Sequence, residues 1–179
     1  DETPSPAVAG PDQTICNQTS ITLAATAPLI GNGIWSLISG PNSPVFSDLK
    51  SPTSSLSGLI SGEYILQWKT SNGFSCPSNK AQVKIKVTEL ADAGSDFSTC
   101  LQGSLPLVGN NGSTGTWSHF SGGSTPPIVT QTGSNSASVT ALSIGTYVFR
   151  YTIATQGLCP ESFDDVSVTI SGDVTIPPN

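Results

Sequence analysis

One pattern occurs twice in this chain. Gly62-Glu63-Tyr64-Ile65-Leu66-Gln67-Trp68 opens on a turn glycine, alternates strictly and is followed by Cys76-Pro77. Gly145-Thr146-Tyr147-Val148-Phe149-Arg150-Tyr151 does the same and is followed by Cys159-Pro160. In an extended strand successive side chains point to opposite faces, so Tyr64, Leu66 and Trp68 share one face, as do Tyr147, Phe149 and Tyr151. A helix would smear a period of two around its circumference. The chain is therefore expected to build two similar cores, each around one such strand.

The duplication runs along the whole chain. Ala9-Gly10-Pro11-Asp12-Gln13-Thr14-Ile15-Cys16 corresponds to Ala93-Gly94-Ser95-Asp96-Phe97-Ser98-Thr99-Cys100. Ile21 and Leu23 match Leu105 and Leu107, and Gly33-Ile34-Trp35-Ser36 matches Gly115-Thr116-Trp117-Ser118. Val45-Phe46 matches Ile128-Val129, Leu56 and Leu59 match Val139 and Leu142, and Val83–Val87 matches Val166–Ile170. The offset stays between 82 and 84, as two copies of one fold with small loop differences require. About seven short strands per copy, separated by turn residues, predict an all-β chain of two tandem immunoglobulin-like β-sandwich domains arranged end to end. The expected boundaries are 7–88 and 89–172, with 1–6 and 173–179 as linker ends. Gly-x-Tyr has the form of a tyrosine corner, and Trp35 and Trp117 occupy the place of a buried core Trp. The join, Thr88-Glu89-Leu90-Ala91-Asp92, has no Gly or Pro, which predicts restricted bending.

Charged residues make up 10% of the chain, far below the usual quarter, and Ser, Thr, Gly, Asn and Pro take their place. The net charge of −6 argues against nucleic acid, which needs a basic stripe to replace counterions. Residues 7–88 carry five Lys against Asp12, Asp48 and Glu63, hence +2. Residues 89–179 carry seven acids against Arg150, hence −6, and Asp1 and Glu2 supply the remaining −2. No apolar run is long enough to cross a membrane. The chain shows no signal peptide and no Met, so it reads as a processed protein or a fragment. Four cysteines, two per copy at matched positions and with no CxxC, predict disulfides in an extracytoplasmic setting rather than zinc.

Ala9-Gly10-Pro11-Asp12-Gln13-Thr14-Ile15, then Trp35-Ser36 with Ser39-Gly40-Pro41-Asn42-Ser43-Pro44, then Ser57-Gly58-Leu59 with Gly62-x-Tyr64, closely resembles PKD-like repeats. The version with paired cysteines resembles the tandem modules of giant cell-surface adhesins of Bacteroidota, of the gliding-motility (SprB) type. The second copy departs at Ser95 and has Ser121-Gly122-Gly123-Ser124 where the first has Ser-Gly-Pro-Asn. The resemblance implies a secreted, cell-surface β-sandwich array for adhesion or spacing, and it carries over no catalytic residue.

Candidate sites weigh little against structural readings. His119 is the only histidine and aligns with Leu37, so a half-buried or edge position is expected and catalysis is not. Glu161, Asp164 and Asp165 form the densest acidic cluster, read as a solvated loop rather than a Ca²⁺ site. Glu89, Asp92 and Asp96 gather in sequence at the junction and are the calcium candidates, although their spacing fits no defined calcium loop. No other cofactor is expected. Trp35, Trp68 and Trp117 could make a sugar platform if exposed, but their apolar alternation favours the core. Asn17-Gln18-Thr19 and Asn111-Gly112-Ser113 match the glycosylation sequon by chance. Lys84 and Lys86, with Lys80 nearby, would line the outward face of the last strand, as a polysaccharide contact, a solvated face or charges blunting a strand edge.

Each copy has one early and one late cysteine, so the self-contained pairing, Cys16 with Cys76 and Cys100 with Cys159, is the expectation. A geometric alternative stands beside it: the early and late positions fall at opposite ends of a sandwich, which would pair Cys16 with Cys159 and leave Cys76 and Cys100 for further modules. The leading function is a non-catalytic structural and adhesive module at the cell surface. Its expected partners are neighbouring repeats of the same chain and a surface polysaccharide, with the isolated piece monomeric. The alternative is a carbohydrate-binding accessory module of a secreted polysaccharide-degrading enzyme.

Overall fold

A computed structural model describes residues 2–73, 76–110 and 114–172. The sequon at Asn111 and the end segment 173–179 lie outside the described residues. The chain divides into two compact units, Asp1–Glu89 with Gly157–Cys159, and Leu90–Gln156 with Pro160–Asn179. Among the described residues there is no helix.

Among the described residues the first unit has seven strands: β1 (Gln13–Cys16), β2 (Ser20–Thr22), β3 (Asn32–Ser39), β4 (Val45–Phe46), β5 (Ser55–Ser57), β6 (Gly62–Ser71) and β7 (Asn79–Thr88). They form one sheet in the order β1-β7-β6-β3 and another in the order β2-β5-β4. β1 pairs parallel to β7, while β6 pairs antiparallel with both β3 and β7. The second unit repeats this plan with β8 (Phe97–Cys100), β9 (Leu105–Val108), β10 (Thr116–Gly122), β11 (Ile128–Gln131), β12 (Ser136–Thr140), β13 (Gly145–Ile153) and β14 (Ser162–Ser171). Its sheets are β8-β14-β13-β10 and β9-β12-β11, again with the first strand parallel to the last. Both units are immunoglobulin-like, PKD-like β-sandwiches.

The central strands do what their alternation requires. Tyr64, Leu66 and Trp68 are fully buried in one cluster with Leu56 of the facing sheet and with Leu23 and Leu59, which follow its strands β2 and β5. Tyr147, Phe149 and Tyr151 are buried against Leu105, Leu107, Ala137 and Val139. Trp35 lies opposite Trp68 with ring centroids 5.0 Å apart, and Trp117 lies opposite Tyr151 at 5.1 Å. These contacts fit tilted aromatic packing. They also explain a repeated glycine: a Cβ on Gly33 would stand 1.9 Å from the Trp68 ring, and one on Gly115 would stand 2.5 Å from the Tyr151 ring.

Burial obliges the indoles to find acceptors. Trp35 Nε1 donates to the Ser51 carbonyl, Trp68 Nε1 to Thr26 and Trp117 Nε1 to Asn135. The Tyr151 hydroxyl, in the place of the Trp68 indole, has no hydrogen-bond partner among the described residues. Both tyrosine corners form. Tyr64 accepts from the Ile60 amide at 2.9 Å, and Tyr147 from the Ser143 amide at 2.8 Å.

One expectation changes at the N-terminus. Residues 1–6 read as linker, yet Ser5 exchanges hydrogen bonds with Ile30, and its carbonyl accepts from the buried Thr70 hydroxyl at 2.6 Å. Pro4 and Glu2 accept from Asn79 and Asn72. Polar side chains at one end of β6 and β7 thus recruit the leading segment into the first sandwich.

Ala141 sits at φ +60°, where its counterpart in the first unit is Gly58 at φ +74°. The left-handed region costs a residue with a Cβ roughly 1–2 kcal/mol, less the extra chain entropy that glycine loses on folding. Ala141→Gly is therefore expected to stabilise the second sandwich by about 0.5–1 kcal/mol, and Gly58→Ala to destabilise the first by a similar amount. Urea unfolding followed through the separate tryptophans checks both, and a destabilising Ala141→Gly would contradict this account of the turn.

Candidate functional site

The parallel strand at the start of each sandwich positions the cysteines. Because β1 runs alongside β7, Cys16 lies opposite Thr88, at the far end of β7. Cys76 lies ahead of β7's first residue, Asn79. The ten residues of β7 span about 30 Å at the usual rise of ~3.3 Å each. A disulfide tolerates a Cα separation of only about 7 Å. The same holds in the second unit, where Cys100 lies opposite Ser171 at the end of β14 and Cys159 precedes its start at Ser162. The within-repeat pairing is thus overturned. Cys16 is bonded to Cys159, with Cα atoms 5.5 Å apart, across 143 positions of sequence.

The cystine is enclosed rather than hung on the surface. Cys159 is 4% exposed and Thr88 6%. Thr88 Oγ1 lies 3.2 Å from Cys159 Sγ and 3.4 Å from the Ile15 carbonyl. Gly157, at φ +62°, turns the short segment that carries Cys159. That segment, Gly157–Cys159, clusters with the first unit although its sequence belongs to the second repeat.

Just ahead of each first strand stands an aspartate whose role is structural. Asp12 Oδ1 accepts from the Lys84 amide and Asp96 Oδ1 from the Ser167 amide, both at 2.8 Å. In each case a carboxylate takes over the parallel ladder where the strand backbone has not yet begun. Asp92 Oδ1 accepts from the Gly94 amide in a tight turn. Asp96 and Asp92 are therefore engaged by backbone amides, and Glu89 lies in the other unit. Among the described residues, no three His, Cys, Asp or Glu side chains form a group that could hold a metal ion.

The acidic cluster is not the solvated loop expected before the last strand: Asp164 and Asp165 lie on β14 itself, where the pleat turns neighbouring side chains to opposite faces. Asp164 Oδ2 accepts from the Ala93 amide. Asp165 takes the Arg150 guanidinium in a two-pronged pair at 2.7 and 2.8 Å. That guanidinium also stands 3.8 Å from the Phe120 ring centre and 4.0 Å from that of Phe163. Both rings are more than half exposed. An aromatic–arginine–aromatic stack on the outer face of β10, β13 and β14 is the site that reading the sequence missed. Its signal was the cross-strand register of Arg150 with Asp165, which needs the strand pairing to be known. Hydrogen bonding to Asp165 raises the pKa of Arg150, and hydrogen bonding to Arg150 lowers that of Asp165, each against a smaller opposing effect of burial.

The remaining candidates fall to structural roles. His119 is half-buried on β10, an edge strand, and its ring lies edge-on to Tyr147. Its Nε2 reaches the carbonyls of Ser121 and Gly122 at 2.9 and 3.0 Å. Carbonyls only accept, so Nε2 carries the proton and clasps the bulge that breaks the β10–β13 register. All three Trp are buried and offer no platform. Lys84 and Lys86 project outward from β7, with Lys84 paired to Glu63 at 3.1 Å. β7 lies between β1 and β6, so these charges cover a solvated face and not a strand edge. A surface hollow of 320 Å³ on the first sandwich, lined by Asn32, Gly33, Ile34, Lys50 and Ser71, brings together no acid–base pair.

No family model matches the sequence, and no curated protein matches it. Solved structures are similar in fold. The PKD domain of the KIAA 1837 protein is 22% identical over 48% of this chain and 87% of its own, with a TM-score of 0.42. The insect immune protein hemolin is 12% identical over 94% of this chain and 47% of its own, at 0.49. An endo-fucoidan hydrolase of glycoside hydrolase family 107 is 17% identical over 97% of this chain and 29% of its own, at 0.36. At these scores the assignment to the sandwich class rests on the strand order described above.

Asp165 is ionised in its pair, so its folded pKa lies below the unfolded one. Its contribution to stability is full above about pH 3.9 and is lost as pH falls through the lowered folded value. Asp165→Asn should therefore lower the urea midpoint at pH 7, and the gap to the native protein should close on acidification below about pH 4. A gap unchanged at pH 2 would show that the pair's charge contributes nothing.

Proposed function

We propose that this chain is a non-catalytic structural link of an extracellular array. The observation that carries the reading is the Cys16–Cys159 bond, which ties the late loop of one repeat to the first strand of the repeat before it. Cystines persist in oxidising compartments, which supports a location outside the cell. The motifs that form the parallel ladder and the tyrosine corner, around Asp12, Asn42 and Tyr64, are those that resemble the PKD-like repeats of Bacteroidota surface adhesins. They support the finer reading of a module in a large secreted cell-surface adhesin, of the kind used in gliding motility.

The bond has a mechanical consequence. When the chain is pulled from its two ends, tension passes from Cys16 to Cys159 and bypasses the residues between. Unfolding therefore cannot release the loop closed by this bond, a sequence separation of 143 and a length of roughly 480 Å when extended. Single-molecule stretching should show that extension only after reduction. Full extension of the oxidised chain would remove the tether reading.

A second reading, a carbohydrate-binding accessory module, draws on one specific feature, the exposed Phe120–Arg150–Phe163 face. Aromatic rings beside a hydrogen-bond donor suit the apolar faces and hydroxyls of a sugar. Selective binding on a glycan array, lost in both Phe120→Ala and Phe163→Ala, would favour that reading over the structural one.

A further inference from the structure

We propose that Cys100 is a crosslinking site for the next copy of this module, forming a disulfide with the Cys-Pro cysteine of a repeat that follows it. The inference rests on the array reading only for the presence of such a repeat; the chemistry comes from the two first strands.

Cys16 and Cys100 are the same position in the fold. Each is the last residue of a short strand running parallel to the last strand of its sandwich, opposite Thr88 in one case and Ser171 in the other. The next amide continues the ladder identically: Asn17 donates to the Thr88 carbonyl at 2.8 Å and Leu101 to the Ser171 carbonyl at 2.9 Å. The partner of Cys16 is known, and it is the Cys-Pro cysteine of the following repeat. The equivalent position therefore has a defined ligand in this same molecule.

A second observation is independent of the sulfur. Thr88, beside the bonded cystine, is buried, whereas Ser171 is exposed. Cys16 is half-buried, whereas Cys100 is exposed and carries a free thiol, with Leu101 at 48% exposure next to it. In the first unit a turn like Gly157–Cys159 supplies the cover. Among the described residues, no such turn covers the equivalent surface of the second unit.

The step balances with a low-molecular-weight disulfide as oxidant, for example oxidised glutathione. The Cys100 thiolate attacks one glutathione sulfur and displaces a glutathione thiolate. The incoming cysteine thiolate then displaces the second glutathione. Two protein thiols lose two protons and two electrons, one S–S bond forms, and two glutathione thiols leave.

The test extends the chain by one repeat. Residues 1–171 are followed directly by a second copy of residues 89–179, so that Ser171 stands where Thr88 stands at the natural join. The appended copy carries Glu161→Asp, an exposed conservative change that marks its Cys-Pro peptide by mass, and Cys100→Ser, so that only the first copy contributes a Cys100 peptide. The protein is oxidised in a glutathione buffer, alkylated and mapped without reduction. The expected result is a peptide joining Cys100 to the marked Cys-Pro cysteine, with loss of alkylation at Cys100, in molecules that also hold Cys16–Cys159. With Cys100→Ser in the first copy as well, the marked cysteine should become alkylated while Cys16–Cys159 remains. Cys100 still alkylated in molecules that have formed Cys16–Cys159 would overturn the proposal, as would the marked cysteine bonded to any other partner. Either outcome leaves the stretching result on the two-repeat chain unaffected, so the two readings fail separately.

Discussion

The parallel pairing of a four-residue first strand with the last strand of the same sandwich sets most of what is distinctive here. Direction is the decisive variable. An antiparallel first strand would begin where the last strand ends and bring its cysteine back towards the late one. A parallel strand carries the cysteine away from it, to the opposite end. The carboxylates of Asp12 and Asp96 fix where that ladder begins, each capturing an amide of the last strand at 2.8 Å. The self-contained disulfide is excluded by the same geometry that makes each module's first strand fit.

Within that frame the two copies keep positions and exchange partners. Asn42 donates to the Gly58 carbonyl and receives the Tyr64 hydroxyl in the first unit. In the second, which lacks the Ser-Gly-Pro-Asn run, Ser143 and Ser124 form a chain of hydroxyls to Tyr147. Trp68 gives way to Tyr151, and the acceptor that served the indole has no counterpart for the hydroxyl among the described residues.

Much of the architecture was legible because a period of two is set by backbone geometry alone. Tyr64, Leu66 and Trp68 could point nowhere else once the strand was extended, and the near-constant offset carried the reading to the second copy. What sequence could not supply was anything decided by strand direction or register. The Asp12 motif could be seen to repeat, but its acceptor role depends on which amide lies opposite. Arg150 and Asp165 are 15 positions apart, and only the β13–β14 register makes them neighbours. The pairing of Cys16 turned on the same missing fact. Residues 1–6, with two prolines and no large apolar side chain, read as linker because their value lies in carbonyls offered to Thr70 and Asn79, and any sequence offers carbonyls.

The location of the cystine also follows from what fills the cores. In many immunoglobulin domains an inter-sheet disulfide packs against a single core Trp. Here the centre of each sandwich already holds two aromatic side chains in contact, Trp35 with Trp68 and Trp117 with Tyr151. Facing Leu23, Leu56 and Leu59, or their counterparts Leu107, Val139 and Leu142, complete the layer. Space at native packing density is finite, and a bridge between the sheets would have to displace one of those rings. Aromatic pairs thus take over the structural duty of an internal cystine. The sulfurs lie instead at the rims of the sandwich, where strand direction places them at opposite ends. A bond from such a position reaches only a segment outside its own core, so the covalent chemistry of this module is directed outward by the packing of its interior.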